Sequence, residues 1–98
     1  MHYLLIYDLS SDYLERRAAW REEHLKLAWA AAGRGELVLA GALGEPTDNA
    51  MLLFAGASPA AAEAFANADP YVREGLVTHW RVRPWLTVVG EQASNPVR

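Results

Sequence analysis

Cysteine is absent from this chain of 98 residues, and its absence removes several kinds of chemistry. Without thiols the protein has no disulfide, no thiolate nucleophile and no cysteine-ligated metal. No apolar run approaches the roughly 20 residues that cross a bilayer. The first residues also lack the charged and small-residue zones of a signal peptide. We therefore expect a cytoplasmic protein that does not interact with membranes.

Positive charge is also scarce. Nine lysines and arginines against 12 acidic residues give a formal net charge of −3, and no basic block occurs. This composition disfavours nucleic acid as a partner. The three histidines lack ligand spacing such as i, i+4, so no metal site is predicted. No glycine-rich phosphate loop and no Gly-x-Ser-x-Gly element is present, so we expect no bound cofactor and no activated serine.

The predicted elements follow the order strand, helix, strand, strand, helix, strand. Strands are predicted over 2–8, 36–43, 50–55 and 77–89, one long helix over 13–33, and a second helix over 60–67 after Ser58. This order is typical of the ferredoxin-like βαββαβ fold, an α+β class with an antiparallel sheet. Pro84 cannot donate to a ladder, so the last strand should lie at a sheet edge. We expect one domain over 1–89 and a loose polar tail over 90–98.

Apolar residues exceed what a single core of this size needs. In the first helix, the stripe predicted to face the core comprises Leu14, Ala18, Leu25, Trp29 and Ala32. Trp20 and Leu27 fall outside that stripe. The first three strands are apolar at both odd and even positions. In a sheet with one solvent-exposed face, apolar and polar residues should instead alternate along each strand. The simplest cover for the second face is another copy of the chain, so we expect a homodimer through the open sheet face.

His24 and Asp69 are the strongest candidates for chemistry. His24 lies at the border of the apolar stripe, on the same side as Arg17 and Arg21. Imidazole exchanges protons near neutral pH and suits a general acid or base. Asp69, in an Asp-Pro-Tyr turn 45 residues away, could orient that ring. Alternatively, His24 is a border histidine bonded to a backbone carbonyl, and Asp69 caps the turn begun by Pro70. One carboxylate can do both, one oxygen for each role.

The remaining candidates concern binding. Arg17 and Arg21 could hold an anionic group, or could pair with surface glutamates. Four aromatic residues could line a pocket, although core or interface is the more usual place for them. They are Tyr7, Tyr71, Trp80 and Trp85.

Several short motifs, taken in order, resemble the YCII-related (YciI-like) family over about residues 1–88. They are Arg-x-x-x-Arg-x-x-His-Leu, Ala-Gly-Ala in the second strand, Asp-Pro-Tyr, then Gly75 and Pro84-Trp85. The resemblance implies a ferredoxin-like protomer, a dimeric α/β barrel and an active site built on a His-Asp pair, here His24 and Asp69. The other positions that match the family pattern are Arg17, Gly41, Pro70, Tyr71 and Gly75. The chain departs from the pattern at Gly41-Ala42, where the family often has Gly-Pro, and at the turn into the third strand. One branch of the family resembles dehydrochlorinases of chlorinated hydroxyquinols.

The sequence thus favours a small cofactor-free enzyme with lyase-like or hydrolase-like acid–base chemistry on a small aromatic or anionic substrate. His24 would be the base, Asp69 would orient it, and Arg17, Tyr7 and Tyr71 would bind the substrate. The alternative is a non-catalytic dimeric module that binds a small ligand or a partner. A metal or haem enzyme of the same superfamily is the weakest of the three hypotheses.

Overall fold

The computed structural model describes residues 1–98 and contains one four-stranded antiparallel sheet. The elements are β1 (His2–Leu9), α1 (Tyr13–Arg16), a 3₁₀ turn (Arg17–Ala19), α2 (Arg21–Gly33), β2 (Leu37–Leu43), β3 (Asn49–Ala55), α3 (Ala60–Ala68), α4 (Pro70–Arg73) and β4 (Val77–Trp85). The strands lie in the order β2-β3-β1-β4. The α+β class and the ferredoxin-like order are therefore confirmed.

The hydrophobic core lies between one face of the sheet and the helices. On β1 every second residue points into it, and Tyr3, Leu5 and Tyr7 are all buried. Leu5 pairs with Leu52 of β3 on one side and Val82 of β4 on the other. The helices complete this core mainly with small side chains and one phenylalanine. The buried members in α2 and α3 are Ala28, Ala31, Ala62, Phe65 and Ala66, and α1 and α4 add Tyr13 and Tyr71.

Strand β4 lies at one edge of the sheet, as Pro84 predicts. It ends at Trp85, four residues earlier than the sequence pattern indicated. The chain after it turns back on itself, and the amides of Asn95 and Val97 donate to the carbonyls of Thr87 and Val88. The Thr87 hydroxyl also lies 2.6 Å from Nδ1 of His2 at the start of β1.

The helix predicted over 13–33 is interrupted, so that prediction was wrong in detail. A 3₁₀ turn follows α1, and Trp20 (φ −119°, ψ −1°) separates it from α2. The predicted core stripe was wrong for the same reason, because one helical wheel cannot describe two segments of different twist. Trp20 and Leu27 pack against the core. Leu25 and Trp29 are instead 38% and 75% exposed.

The second face of the sheet has no helix over it and is largely apolar. Ile6 pairs there with Met51, and Leu4 with Leu53. Further apolar side chains on this face, which are about half or more exposed, are Leu39, Leu43 and Trp85. Charged residues stand at its margin, where Oδ2 of Asp8 lies 3.5 Å from His79 and 3.8 Å from Arg81. The strand patterning that led us to expect two apolar faces is thus seen in the protomer.

None of the helices combines the length and the apolar composition that a membrane span requires.

Candidate functional site

The structure brings His24 and Asp69 into direct contact. His24 lies in the first turns of α2, and Nδ1 of its ring is 2.8 Å from Oδ1 of Asp69. The histidine side chain keeps 16% of its surface exposed, while the aspartate side chain is fully buried. Because Asp69 is shielded, its bond to the ring is protected from competing water. One end of the imidazole is therefore fixed by a buried carboxylate, and the other end remains available to a ligand.

Asp69 has a second role at the start of α4. Pro70 excludes Asp69 from helical geometry, and its backbone is extended at φ −72° and ψ 123°. This conformation lets Oδ1 accept a hydrogen bond from the backbone amide of Tyr71 at 3.0 Å. Asp69 therefore caps α4 and holds His24 at once, as the sequence analysis allowed. The division between oxygens differs from our expectation, because Oδ1 receives both the amide and the imidazole.

The other oxygen of Asp69 is taken by Tyr7. The Tyr7 hydroxyl donates to Oδ2 of Asp69 at 2.7 Å from the middle of β1. Burial raises the pKa of Tyr7 far above its ordinary value, and the adjacent Asp69 carboxylate raises it further. Tyr7 therefore stays a neutral hydrogen-bond donor at any working pH. With three donors converging on it, Asp69 is held rigidly between the sheet and two helices.

Aromatic side chains fix the plane of the histidine ring. The rings of His24 and Tyr71 are stacked, with centroids 3.9 Å apart and planes 8° from parallel. Tyr13 meets Tyr71 edge-on at 5.6 Å, and Phe65 meets His24 at 6.2 Å in the same manner. These edge-on and stacked contacts are favourable arrangements of aromatic rings. The imidazole thus has its position set by one carboxylate and its orientation set by stacking.

These residues line a cavity of about 440 Å³ between α2, α4 and the sheet. That volume is within the range of small-molecule binding sites. Tyr7, His24 and Tyr71 lie on its polar wall. The rest is mainly apolar, with Ala28 and Leu52 in its interior and the exposed side chains of Leu25 and Trp29 at its mouth.

Arg17 and Arg21 also line the cavity. Arg17 is half-buried, and its guanidinium carbon lies 5.6 Å from the ring centroid of Tyr13. Arg21 is exposed. Neither has a carboxylate within ion-pair distance, so the pairing with surface glutamates that we considered does not occur. Both cations therefore face the cavity with their charge uncompensated by protein side chains.

Sequence reasoning missed some lining residues and included others that lie elsewhere. Tyr13 was missed, although its spacing of four residues from Arg17 is a signal that could have found it. Trp80 packs against the core, and Trp85 lies on the open face of the sheet. Leu25 and Trp29, assigned to the core, lie at the cavity mouth. No cluster of three or more histidine, aspartate or glutamate side chains is arranged to hold a metal ion.

Solved structures with a similar fold include two from bacteria. The first is 5-chloro-2-hydroxyhydroquinone dehydrochlorinase of Burkholderia phenoliruptrix AC1100, in complex with 2,5-dihydroxybenzoquinone. It is 17% identical, with a TM-score of 0.73 over 89% of this chain and 95% of the other. The second is a NIPSNAP family protein of Agrobacterium tumefaciens str. C58, 14% identical, with a TM-score of 0.59 over 95% of each chain. At these identities the likeness concerns the fold.

Among curated protein sequences none matches the chain. A family model does match it, that of the YCII-related domain, over residues 1–86. The match spans the whole sheet and every residue of the cavity wall described above. Together with the fold and with the order of motifs along the sequence, it shows that this chain belongs to the YCII-related family.

Proposed function

We propose that the protein is a small-molecule enzyme that uses His24 as a general base, with Asp69 as its positioning partner. The observation that carries this proposal is the 2.8 Å contact between Nδ1 of His24 and buried Oδ1 of Asp69, at the wall of a cavity. A carboxylate that receives three donors is an acceptor, so Nδ1 carries the proton in that contact. The lone pair of the neutral ring then lies on Nε2, where a substrate can reach it.

Elimination is the reaction that this arrangement supports best. Nε2 would remove a proton from a substrate carbon, the electron pair would form a double bond, and the leaving group would depart with its own pair. The imidazolium would then release its proton to water or to the leaving group. Water activation for hydrolysis would use the same base. The dehydrochlorinase activity named for one structural neighbour is consistent with the first route.

Three further side chains would bind the substrate. Tyr7 would hold Asp69 in place and line the cavity, and Tyr71 would support the His24 ring by stacking on it. Arg17, anchored over Tyr13, would contribute positive charge. These roles require no group beyond the chain itself and a substrate that is aromatic or anionic.

The decisive experiment compares His24→Gln with the wild-type protein on a panel of small halogenated phenols and hydroxyacids. We expect turnover to fall by about 10²–10⁴-fold, the range that general-base catalysis contributes. His79→Gln, at an exposed position outside the cavity, is the control and should retain activity. Full activity in His24→Gln would overturn the proposal. Ligand binding without any turnover in the wild-type protein would favour a non-catalytic binding module.

We also propose that the protein works as a homodimer through the open face of the sheet. This face carries Leu4, Ile6, Met51 and Leu53 at its centre, and no helix covers it. A chain of 98 residues gains much from covering such a surface. A two-fold contact would place the same patch of each copy against the other. It would leave both cavities accessible, because they open on the helical side.

A further inference from the structure

The cavity has an unusual balance of charge for an acidic protein. The chain has a formal net charge of −3, yet no aspartate or glutamate lines the cavity. The charged side chains that do line it, apart from the titratable His24, are Arg17 and Arg21. Fifteen of the 19 lining residues are hydrophobic, so these two cations face a wall with little polarity of its own. A ligand that fills this cavity has to supply the missing negative charge.

The two cavity arginines differ from most others in the chain. Arg16, Arg34, Arg73 and Arg81 each lie within 4 Å of a carboxylate. Arg17 and Arg21 do not, although the chain has 12 acidic residues to supply one. Guanidinium groups present paired donors that fit the two oxygens of a carboxylate.

Tyr71 provides a second, independent sign of a ligand. Its side chain is 2% exposed, and its hydroxyl has no hydrogen-bond partner. Leaving a buried hydroxyl unpaired is unfavourable, and such groups in native proteins call for an explanation. Burial raises the pKa of Tyr71, as does Tyr13, whereas Arg21 and Arg17 oppose that rise. Arg17 lies 5.6 Å from the Tyr13 ring, which itself meets Tyr71 at 5.6 Å, and Arg21 lines the same cavity, so all three groups border one space.

The mouth of the cavity has a different character. Leu25 and Trp29 are 38% and 75% exposed there. Large apolar side chains grouped at the entrance of a cavity favour a ligand with an apolar body. A phosphorylated or multiply charged metabolite would leave these apolar side chains at the entrance without an apolar group to contact.

We propose that the ligand is a small apolar monocarboxylic acid, with its carboxylate held by Arg17, Arg21 and the Tyr71 hydroxyl and its apolar body on Leu25 and Trp29. The identification of the cavity as the site rests on the proposed function, but the inference concerns recognition and not catalysis. The hydroxyl of Tyr71 is closed off from water in the unliganded protein. The acid therefore reaches it only when a neighbouring side chain turns aside.

The test uses phenylacetate and its neutral counterpart phenylacetamide as probes, with binding measured by isothermal titration calorimetry. We expect the full chain to bind phenylacetate at least about tenfold more tightly than the amide, because a charge-assisted hydrogen bond contributes that much. Arg17→Gln and Arg21→Gln should each weaken phenylacetate binding by about tenfold and leave amide binding unchanged. Lys26→Gln is the matched control, since Lys26 is exposed on the same helix and does not line the cavity. It should bind both probes as the wild-type protein does.

Tyr71→Phe distinguishes a ligand-binding hydroxyl from a structural one. It removes an unpaired buried group, so the melting temperature should stay the same or rise while phenylacetate binding weakens. Equal affinity of the wild-type protein for acid and amide, or equal losses in Arg21→Gln and Lys26→Gln, would overturn the inference. His24→Gln separates the two proposals: retained phenylacetate binding with lost turnover supports both. Retained turnover in that variant, with selective acid binding, would overturn the catalytic role alone.

Discussion

Asp69 joins His24 to Tyr7, accepting from the imidazole at 2.8 Å and from the phenol at 2.7 Å. The three side chains come from α2, the residue before α4, and β1, so the contact exists only in the folded protein. Each partner limits the freedom of the others. Loss of the Asp69 carboxylate should therefore affect both stability and the cavity.

We expect Asp69→Asn to be strongly destabilising. An amide at this position turns one acceptor into a donor, which then faces the donor of Tyr7 or the donors of His24 and Tyr71. Leaving a buried donor unpaired costs about 1–3 kcal/mol, and here at least one donor loses its acceptor. Urea denaturation at neutral pH measures the loss. Asp12→Asn is the comparison, since that carboxylate is at the surface and bonded to Ser10, and it should change the urea midpoint very little. Similar midpoints for the two variants would contradict a buried three-donor site.

Tyr7→Phe should alter the pH dependence of stability. The pKa of Tyr7 is raised in the folded state, so in the wild-type protein its contribution is complete below the pKa of an unfolded tyrosine, about 10. It is lost progressively as the pH rises above that value, because the unfolded chain releases the proton first. The variant should be less stable by about 1–3 kcal/mol at neutral pH and should lose less stability between pH 9 and 11.

The measurement for Tyr7 is the urea midpoint as a function of pH. Tyr3→Phe is a useful control because Tyr3 lies on the same strand and face, with only the sulfur of Met1 3.9 Å from its hydroxyl. It should keep the alkaline slope of the wild-type protein. If the urea midpoint of Tyr7→Phe fell with rising pH as steeply as that of the wild-type protein, another group would be the cause of the stability lost at alkaline pH.

Two glycine substitutions should have opposite effects. Gly75 follows α4 with φ +81°, whereas Gly33 is the last residue of α2 and has no positive φ, and a Cβ would meet no atom within 4 Å at either position. Gly75→Ala should therefore cost about 1–2 kcal/mol through backbone strain alone. Gly33→Ala should add roughly 0.5–1 kcal/mol, because alanine favours the helix. Thermal melts of both variants measure the contrast, and equal effects would mean that the backbone at Gly75 adapts freely.

Disruption of the proposed dimer should require a change on the open face of the sheet. We expect Leu53→Lys to convert a species of twice the 10.8 kDa chain mass into a monomer, because it buries a charge in the contact. Trp29→Lys, a similar change at the cavity mouth, should leave the mass unchanged. Sedimentation equilibrium at micromolar concentration provides the measurement. A wild-type protein that sediments at the chain mass would contradict the dimer.

Much of the fold could be predicted from residues whose effects are local. Pro84 placed β4 at an edge, and Asp69-Pro70 predicted the cap of α4. Apolar residues at both odd and even positions of the first three strands indicated two apolar faces. The long first helix could not be predicted correctly. Residues Leu27 to Ala32 are all apolar, so periodicity selects no face, and the break at Trp20 has no proline or glycine to signal it. The unpaired hydroxyl of Tyr71 was beyond sequence reasoning, because it depends on the closure of the cavity around it.

The double role of Asp69 has a consequence for reading related sequences. Its carboxylate begins a helix and supports a sheet tyrosine, so selection for folding alone would preserve an acidic residue there. His24 has no comparable duty, since it donates to no backbone group of another element. A relative without the proposed chemistry could keep its aspartate after the histidine had been replaced. Across the family, the identity of the residue at position 24 should therefore report on activity, and position 69 chiefly on architecture.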